Sequence, residues 1–477
     1  MYKKTTYMLV GVSFVMLMFS ACKTPSSLSR TENKIVPANF SNSQDTTNSA
    51  DIKWQQYFTD PYLTALIDTA LKNNQELNIT MQEIEISRNE IRAKKGEYLP
   101  SLGIGAGAEI EKVGRYTSQG ANDANTHIKG NTEFPEPLPD FMIGAYAKWE
   151  IDVWGKLRNG KKAAVSRYLS SVEGKNFMVT NLIAELANSY YELLALDNEL
   201  SIVEQNIEIQ TNALKIVRLQ KQSAQVNELA VKRFEAQVLN TQSLQYGIKQ
   251  EIIEAENRIN FLVGRFPQAV ERNTNSFSTL IPNTVSVGLP SQLLDNRPDI
   301  KQAEMELVAA KLDVKSAKAR FYPSLGISAG VGFQAFNAKY LLETPESMIY
   351  SLVGDIAAPL INRSAIKASY NNASAKQLQA VYNYERTILN AYIEIANQLS
   401  NVDNLKKSYD LKKQEVEALT KSITIANNLF KSARADYMEV LLTQRESLES
   451  KFELVETKKQ QMNAMVNIYQ TLGGGWN

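Results

Sequence analysis

Residues able to do chemistry are few in this chain of 477: His127 is the one histidine and Cys22 the one cysteine. Those counts exclude a two-histidine zinc motif, a multi-cysteine cluster and an intramolecular disulfide, so neither a metal site nor a cofactor is expected. A histidine-dependent triad would rest on His127 alone. That residue lies in the polar stretch Gly120 to Pro139, rich in Asn, Gly and Pro, which reads as an exposed loop. The segment Gly155-Lys156-Leu157-Arg158-Asn159-Gly160-Lys161-Lys162 has P-loop spacing, but Lys162 stands where Ser or Thr would hold magnesium. The strand pattern before it alternates instead of being apolar throughout, and its copy from Asn362-Arg363-Ser364 has no glycine loop. Gly103, Gly105 and Gly107 fall within a strand pattern and make no dinucleotide fingerprint. With 52 Lys and Arg against 51 Asp and Glu, a net charge of +1 offers no bulk attraction for nucleic acid. No nucleophile, base and orienting group recur at usable spacing, so the chain does not read as an enzyme.

The cysteine has another reading. Lys3 and Lys4 precede an uncharged apolar run from Tyr7 to Phe19, followed by Ser20, Ala21 and Cys22. That is the order of a secretory signal, with an apolar run too short for a permanent span. Because the small residues end at Cys22, residues 1–21 resemble a bacterial lipoprotein signal, with Phe19 where such signals commonly carry Leu. The resemblance implies cleavage before Cys22 and a lipid on its thiol; an ordinary signal peptide with an incidental cysteine is the alternative. Residues 22–50, rich in Ser, Thr, Asn and Pro, read as a flexible tether. Beyond them no run of about 18 apolar residues occurs, which excludes a transmembrane helix but not a barrel.

The elements that would position any site come in two copies. Pro100-Ser101-Leu102-Gly103-Ile104 recurs as Pro323-Ser324-Leu325-Gly326-Ile327, Glu185-Leu186-Ala187-Asn188 as Glu394-Ile395-Ala396-Asn397, and Leu262-Val263-Gly264 aligns with Thr471-Leu472-Gly473. Each copy predicts a helix, a strand pair and a long helical hairpin. Alternation places strands at about 99–110, 141–154, 322–334 and 348–360, the last interrupted by Asp355 and Pro359. Strands of about ten residues are long enough to cross a bilayer, and a small soluble sheet is the competing reading. Four strands cannot close a barrel and an open edge in lipid is untenable, so a membrane location requires pooled copies; three give twelve strands. Lys156 to Gln222 and Ala365 to Lys431 contain no proline and carry apolar residues at spacings of three and four. At 1.5 Å per residue each is a helix of about 100 Å. Turns near Ser223 to Val226 and Ser432 to Ala435 send the chain back.

These residues resemble the TolC-like outer-membrane efflux channels, in particular the lipoprotein branch serving resistance-nodulation-division pumps. The resemblance is carried by Trp54-Gln55-Gln56-Tyr57-Phe58-Thr59-Asp60-Pro61-Tyr62-Leu63, by Gly288-Leu289-Pro290-Ser291 with Arg297-Pro298-Asp299-Ile300, by both Pro-Ser-Leu-Gly strand starts, and by Trp149-Glu150-Ile151-Asp152-Val153-Trp154-Gly155-Lys156-Leu157-Arg158. It implies an α+β chain whose homotrimer forms a twelve-stranded barrel in the outer membrane, continued by a coiled-coil helical barrel across the periplasm. It also implies a division into a first repeat over residues 51–267, a linker over 268–297 and a second repeat over 298–475. The expected work is passive conduction of drugs or other small molecules from an inner-membrane pump through a periplasmic adaptor. The adaptor would meet Ser223, Ala224, Gln225 and Val226 and the matching Ser432, Ala433, Arg434 and Ala435; glycine is usual where Ala224 and Ala433 stand. Phe430 matches the aromatic before the second turn and Glu439 the aperture carboxylate, while its first-half counterpart, Ala230, is uncharged. A type I secretion conduit shares this architecture, and a periplasmic coiled-coil lipoprotein without a pore is the reading from another class.

Overall fold

The computed structural model describes residues 30–40, 47–128, 132–274, 277–280, 286–359, 361, 363–432 and 434–476. Cys22, Leu360 and Ala433 lie outside them. In chain order the elements are α1 (Trp54–Tyr57), α2 (Pro61–Asn73), α3 (Gln75–Tyr98), β1 (Ser101–Glu111), α4 (Ser118–Asn125), β2 (His127–Ile128), β3 (Thr132–Glu133), β4 (Leu138–Ile151), α5 (Lys156–Gln222) and α6 (Glu228–Val263). The second half continues with α7 (Leu293–Asn296), α8 (Pro298–Ala319), β5 (Ser324–Ala335), β6 (Met348–Ala357), α9 (Ser364–Lys431) and α10 (Tyr437–Thr471). The fold is α+β, with a four-stranded antiparallel sheet in the order β1-β4-β5-β6.

Two compact units divide these residues, the first built largely from 85–169 and 305–381, the second from 32–84, 170–304 and 382–477. In the first, the alternating pattern becomes a two-faced sheet because the register pairs like with like. Leu102 opposes Ala147, Ile104 opposes Ala145 and Ala106 opposes Ile143. Across the next ladders Ile143 opposes Phe333, Trp149 opposes Ile327 and Ala329 opposes Leu352. Partners directly across a ladder point to the same side, so one face is apolar from edge to edge. It is also open: Ile104 is 82% and Leu352 78% exposed.

The opposite face has a glycine floor. Gly103, Gly105, Gly107, Gly144, Gly330 and Gly332 alternate with the apolar set. A Cβ at Gly103 would meet the Tyr146 ring at 2.5 Å, so the missing side chain is what lets that ring lie against β1. Tyr146, Met142 and Ile349 bound a hollow of about 290 Å³ above this floor.

The strands differ at their ends from the alternation. β4 begins at Leu138 and stops at Ile151, because the Asp152 carboxylate is drawn to the start of α5. β6 ends at Ala357, short of Pro359, whose nitrogen cannot donate to a ladder. Between β1 and β4 the stretch expected as loop contains α4, capped by Thr117 Oγ1 accepting from Gly120 N at 3.1 Å. His127 is exposed as expected, but it opens the two-residue strand β2 and pairs with Glu133.

In the second unit, helices pack through the three-and-four pattern. Leu63, Ile67, Leu186, Tyr190, Leu193 and Ile259 belong to one core cluster and are fully buried. The Trp54 to Leu63 motif feeds it: Asp60 caps α2 through the amides of Tyr62 at 2.8 Å and Leu63 at 3.3 Å, with Pro61 as first helical residue. Tyr57 stacks on Tyr469 at 4.0 Å, and the Tyr190 hydroxyl donates to Asp60 at 3.0 Å. The hairpin α5–α6 closes with one register. Gln245 donates to Glu204, Arg258 pairs with Glu192 and Lys221 with Glu228, contacts that climb one helix as they descend the other.

Candidate functional site

The candidate site is distributed over the helix tips, the corner from sheet to helix and two charged joints.

The first tip ends α5 with Ala224 N bonded to Lys221 O at 2.9 Å and Gln225 N to Gln220 O at 2.9 Å. This six-to-one bond requires a left-handed residue, and Ala224 takes that role with φ of 58°, the one positive-φ residue other than glycine among the described residues. Asn227 then caps α6, its side chain accepting from Ala230 N at 3.1 Å. The second tip repeats the bond, Arg434 N to Leu429 O at 2.9 Å, but Asp436 makes no side-chain cap. Ala433 itself lies outside the described residues.

Phe430 and Glu439 separate in character. Phe430 is half-buried and packs with Val226 and Tyr437 against a tip cluster that includes Val217, Phe234 and Val440. Glu439 is exposed in the first turn of α10, and its counterpart Ala230 is fully buried. The structure therefore brings Phe430 into a packed tip and leaves Glu439 facing outward from the chain.

The corner from sheet to helix explains the P-loop-like segment. Asp152 accepts from Leu157 N at 3.1 Å and from Arg158 N at 2.8 Å. The helix N-terminus that would cradle a phosphate is filled by the chain's own carboxylate. Gly155, with φ of 75°, makes the turn. Trp154 stacks on Tyr322 at 4.8 Å and donates to Pro323 O at 2.7 Å, and Trp149 donates to Tyr98 O at 3.2 Å.

Two charged joints were not legible as such. Arg297 is buried and donates to both Asp299 oxygens at 2.9 and 2.7 Å, to Glu394 at 2.7 Å and to Thr471 O at 3.0 Å. Burial alone would lower its pKa; the paired carboxylates raise it. Arg272 bonds Asp197 and Glu256 at 2.5 Å each. The Arg-Pro-Asp-Ile spacing was a signal for Arg297, since Asp two residues on is within bidentate reach; no local signal marks Arg272, whose partners lie on α5 and α6.

The description "outer membrane efflux protein" belongs to a family model that matches residues 66–265 and 289–474, both halves of the chain. The chain belongs to that family. It is 27% identical over 434 residues to the pyoverdine export outer membrane protein OpmQ of Pseudomonas aeruginosa, covering 90% of this chain and 89% of that protein. It is 26% identical to the cation efflux system protein CusC of Escherichia coli strain K12, covering 92% and 93%. Salmonella typhimurium has a probable outer membrane lipoprotein, SilC, that is 24% identical over 95% and 93%. The crystal structure of CusC superposes with a TM-score of 0.83 at 24% identity over 94% of this chain and 99% of that one. The open-state MtrE channel of Neisseria gonorrhoeae gives 0.82 at 22% identity over 95% and 98%. This efflux protein is thus an outer-membrane channel with a TolC-like fold, and its work is conduction, not catalysis.

Proposed function

We propose that three copies of this efflux channel pool their sheets into a twelve-stranded barrel, with the helical hairpins forming the coiled-coil tunnel that continues it. The observation carrying this reading is the pair of free sheet edges. Among the described residues β1 pairs only with β4 and β6 only with β5, while the apolar face runs unbroken between them. In lipid each unpaired backbone group costs several kcal/mol, so β1 of one copy must meet β6 of the next. Three copies give twelve strands, an even number within the range of known barrels.

In this reading the channel is the outer component of a tripartite system. A periplasmic adaptor docks on the tips at Ser223 to Val226 and Ser432 to Ala435, and a resistance-nodulation-division pump in the inner membrane supplies drugs or other small molecules. Relatives named for pyoverdine export and for cation efflux support an assembled export route and differ in cargo. Cys22 carries lipid after loss of residues 1–21, as the name of SilC supports, and residues 22–50 tether the folded repeats over 51–267 and 298–475, joined by the linker 268–297. Three copies of Glu439 with Phe430 line the periplasmic aperture. Glu439→Ala then enlarges conductance or weakens cation preference, and an unchanged pore argues against that role.

The mass of the detergent-solubilised protein, measured by multi-angle light scattering with the detergent subtracted, tests the assembly. Three chains are expected, and a monomer at all protein concentrations sinks it.

A further inference from the structure

We propose that the four helix ends adjoining the sheet form a cationic collar that holds anionic phospholipid headgroups in the leaflet on the helix side of the membrane. The proposal rests on the sheet standing in the membrane as a barrel wall.

The charge is concentrated where strands give way to helices. The last two turns of α3, the first two of α5, the last two of α8 with Arg320, and the first two of α9 carry eleven Lys and Arg against two acids, Glu97 and Asp313. Both acids are occupied, Glu97 by Lys94 at 2.8 Å and Asp313 by Arg167. Lys156 and Arg158 are engaged by Glu150 and Asp152 from the end of β4. Lys95, Lys161, Lys162, Lys318, Arg320 and Lys367 make no ion pair among the described residues, and all six are half or fully exposed. For a chain with a net charge of +1 this is a local excess held without internal compensation. Like charges so close together repel unless an external anion screens them.

Order along the sheet identifies the anion. Next to the apolar face come Trp149, Trp154 and Tyr322 at the strand–helix corner, and immediately beyond them the six cations. Apolar, aromatic, cationic is the sequence of environments from acyl chain to interface to headgroup. Long Lys and Arg stems reach such phosphates by snorkelling. The other end of the sheet is different: there Lys112 and Arg115 are both paired with Glu136, and Asp123, Glu133, Glu343 and Glu346 add negative charge. The cationic excess marks one leaflet.

The test uses the purified full-length channel in nanodiscs and compares retention of phosphatidylglycerol with that of phosphatidylcholine by native mass spectrometry. The parent should prefer phosphatidylglycerol. Joint replacement by Gln at Lys95, Lys161, Lys162, Lys318, Arg320 and Lys367 should weaken that binding about tenfold or more, leaving phosphatidylcholine binding and single-channel conductance unchanged. Equal retention of the two lipids by the parent, or undiminished phosphatidylglycerol binding by the variant, overturns the collar. Altered ion selectivity with unaltered lipid binding places the cations in the lumen and overturns it equally. If the sixfold variant does not fold, the parent's preference must collapse between low and about 1 M salt, where screening acts within about 3 Å; persistence there contradicts the proposal. Absence of conductance from the parent would instead count against the barrel reading.

Discussion

Asn74 and Arg297 stand 223 residues apart and do the same job. Each donates from its side chain to a carbonyl at the end of a long returning helix, Asn74 Nδ2 to Leu262 O at 2.9 Å and Arg297 Nη1 to Thr471 O at 3.0 Å. Beside each, a left-handed glycine takes the close approach of backbone, Gly264 against Asn73 O and Gly473 against Asn296 O, where a Cβ would come within 2.5 Å. The duplicated halves therefore keep one joint with two chemistries: a neutral amide in the first, a buried guanidinium shared with Asp299 and Glu394 in the second.

The two joints should respond differently to truncation. Arg297→Met leaves half-buried Asp299 without its partner and should cost about 3 kcal/mol, whereas Asn74→Ala forfeits two neutral hydrogen bonds, to Leu262 O and from Leu77 N, worth together about 2 kcal/mol. Denaturation midpoints in detergent check the ranking. Equal losses would show that the ion pairs add nothing to the joint.

At the first tip, Ala224 accepts a left-handed backbone that glycine adopts freely. The strain is about 1 kcal/mol, so Ala224→Gly should slow amide exchange across residues 219–228, and Ala224→Val should hasten it. Faster exchange in the glycine variant would mean that the turn owes its geometry to neighbouring contacts.

Burial pushes the Glu199 carboxyl up from 4.5 to about 7, with Lys459 opposing and Glu456 and Glu251 adding to the rise. The folded chain holds this proton more tightly than the unfolded chain. Its contribution to stability is therefore full below about pH 4.5 and is lost as pH rises to about 7. Glu199→Gln should flatten the melting temperature over that window. A slope identical to the parent's would assign the pH dependence to other groups.

Most of the architecture was legible because it is periodic. Alternation in Ser101 to Ile110 and Ser324 to Phe333 produced strands with the expected apolar face, and proline-free runs produced α5 and α9. What periodicity does not carry was missed. Thr117 caps a helix inside a stretch that composition reads as loop, and Tyr146 lies over Gly103 although the glycines were read only as strand residues. Arg272 meets partners 75 and 16 residues away. At the tips, position located the turns, but the positive φ at Ala224 contradicts the residue's own preference, so only the backbone reveals it.

Single-channel recording after adding the purified protein to planar lipid bilayers bears most directly on conduction. A pore built from pooled four-stranded sheets predicts discrete, ohmic conductance steps of uniform size. Protein that enters the bilayer as an oligomer and never produces such steps would contradict the account.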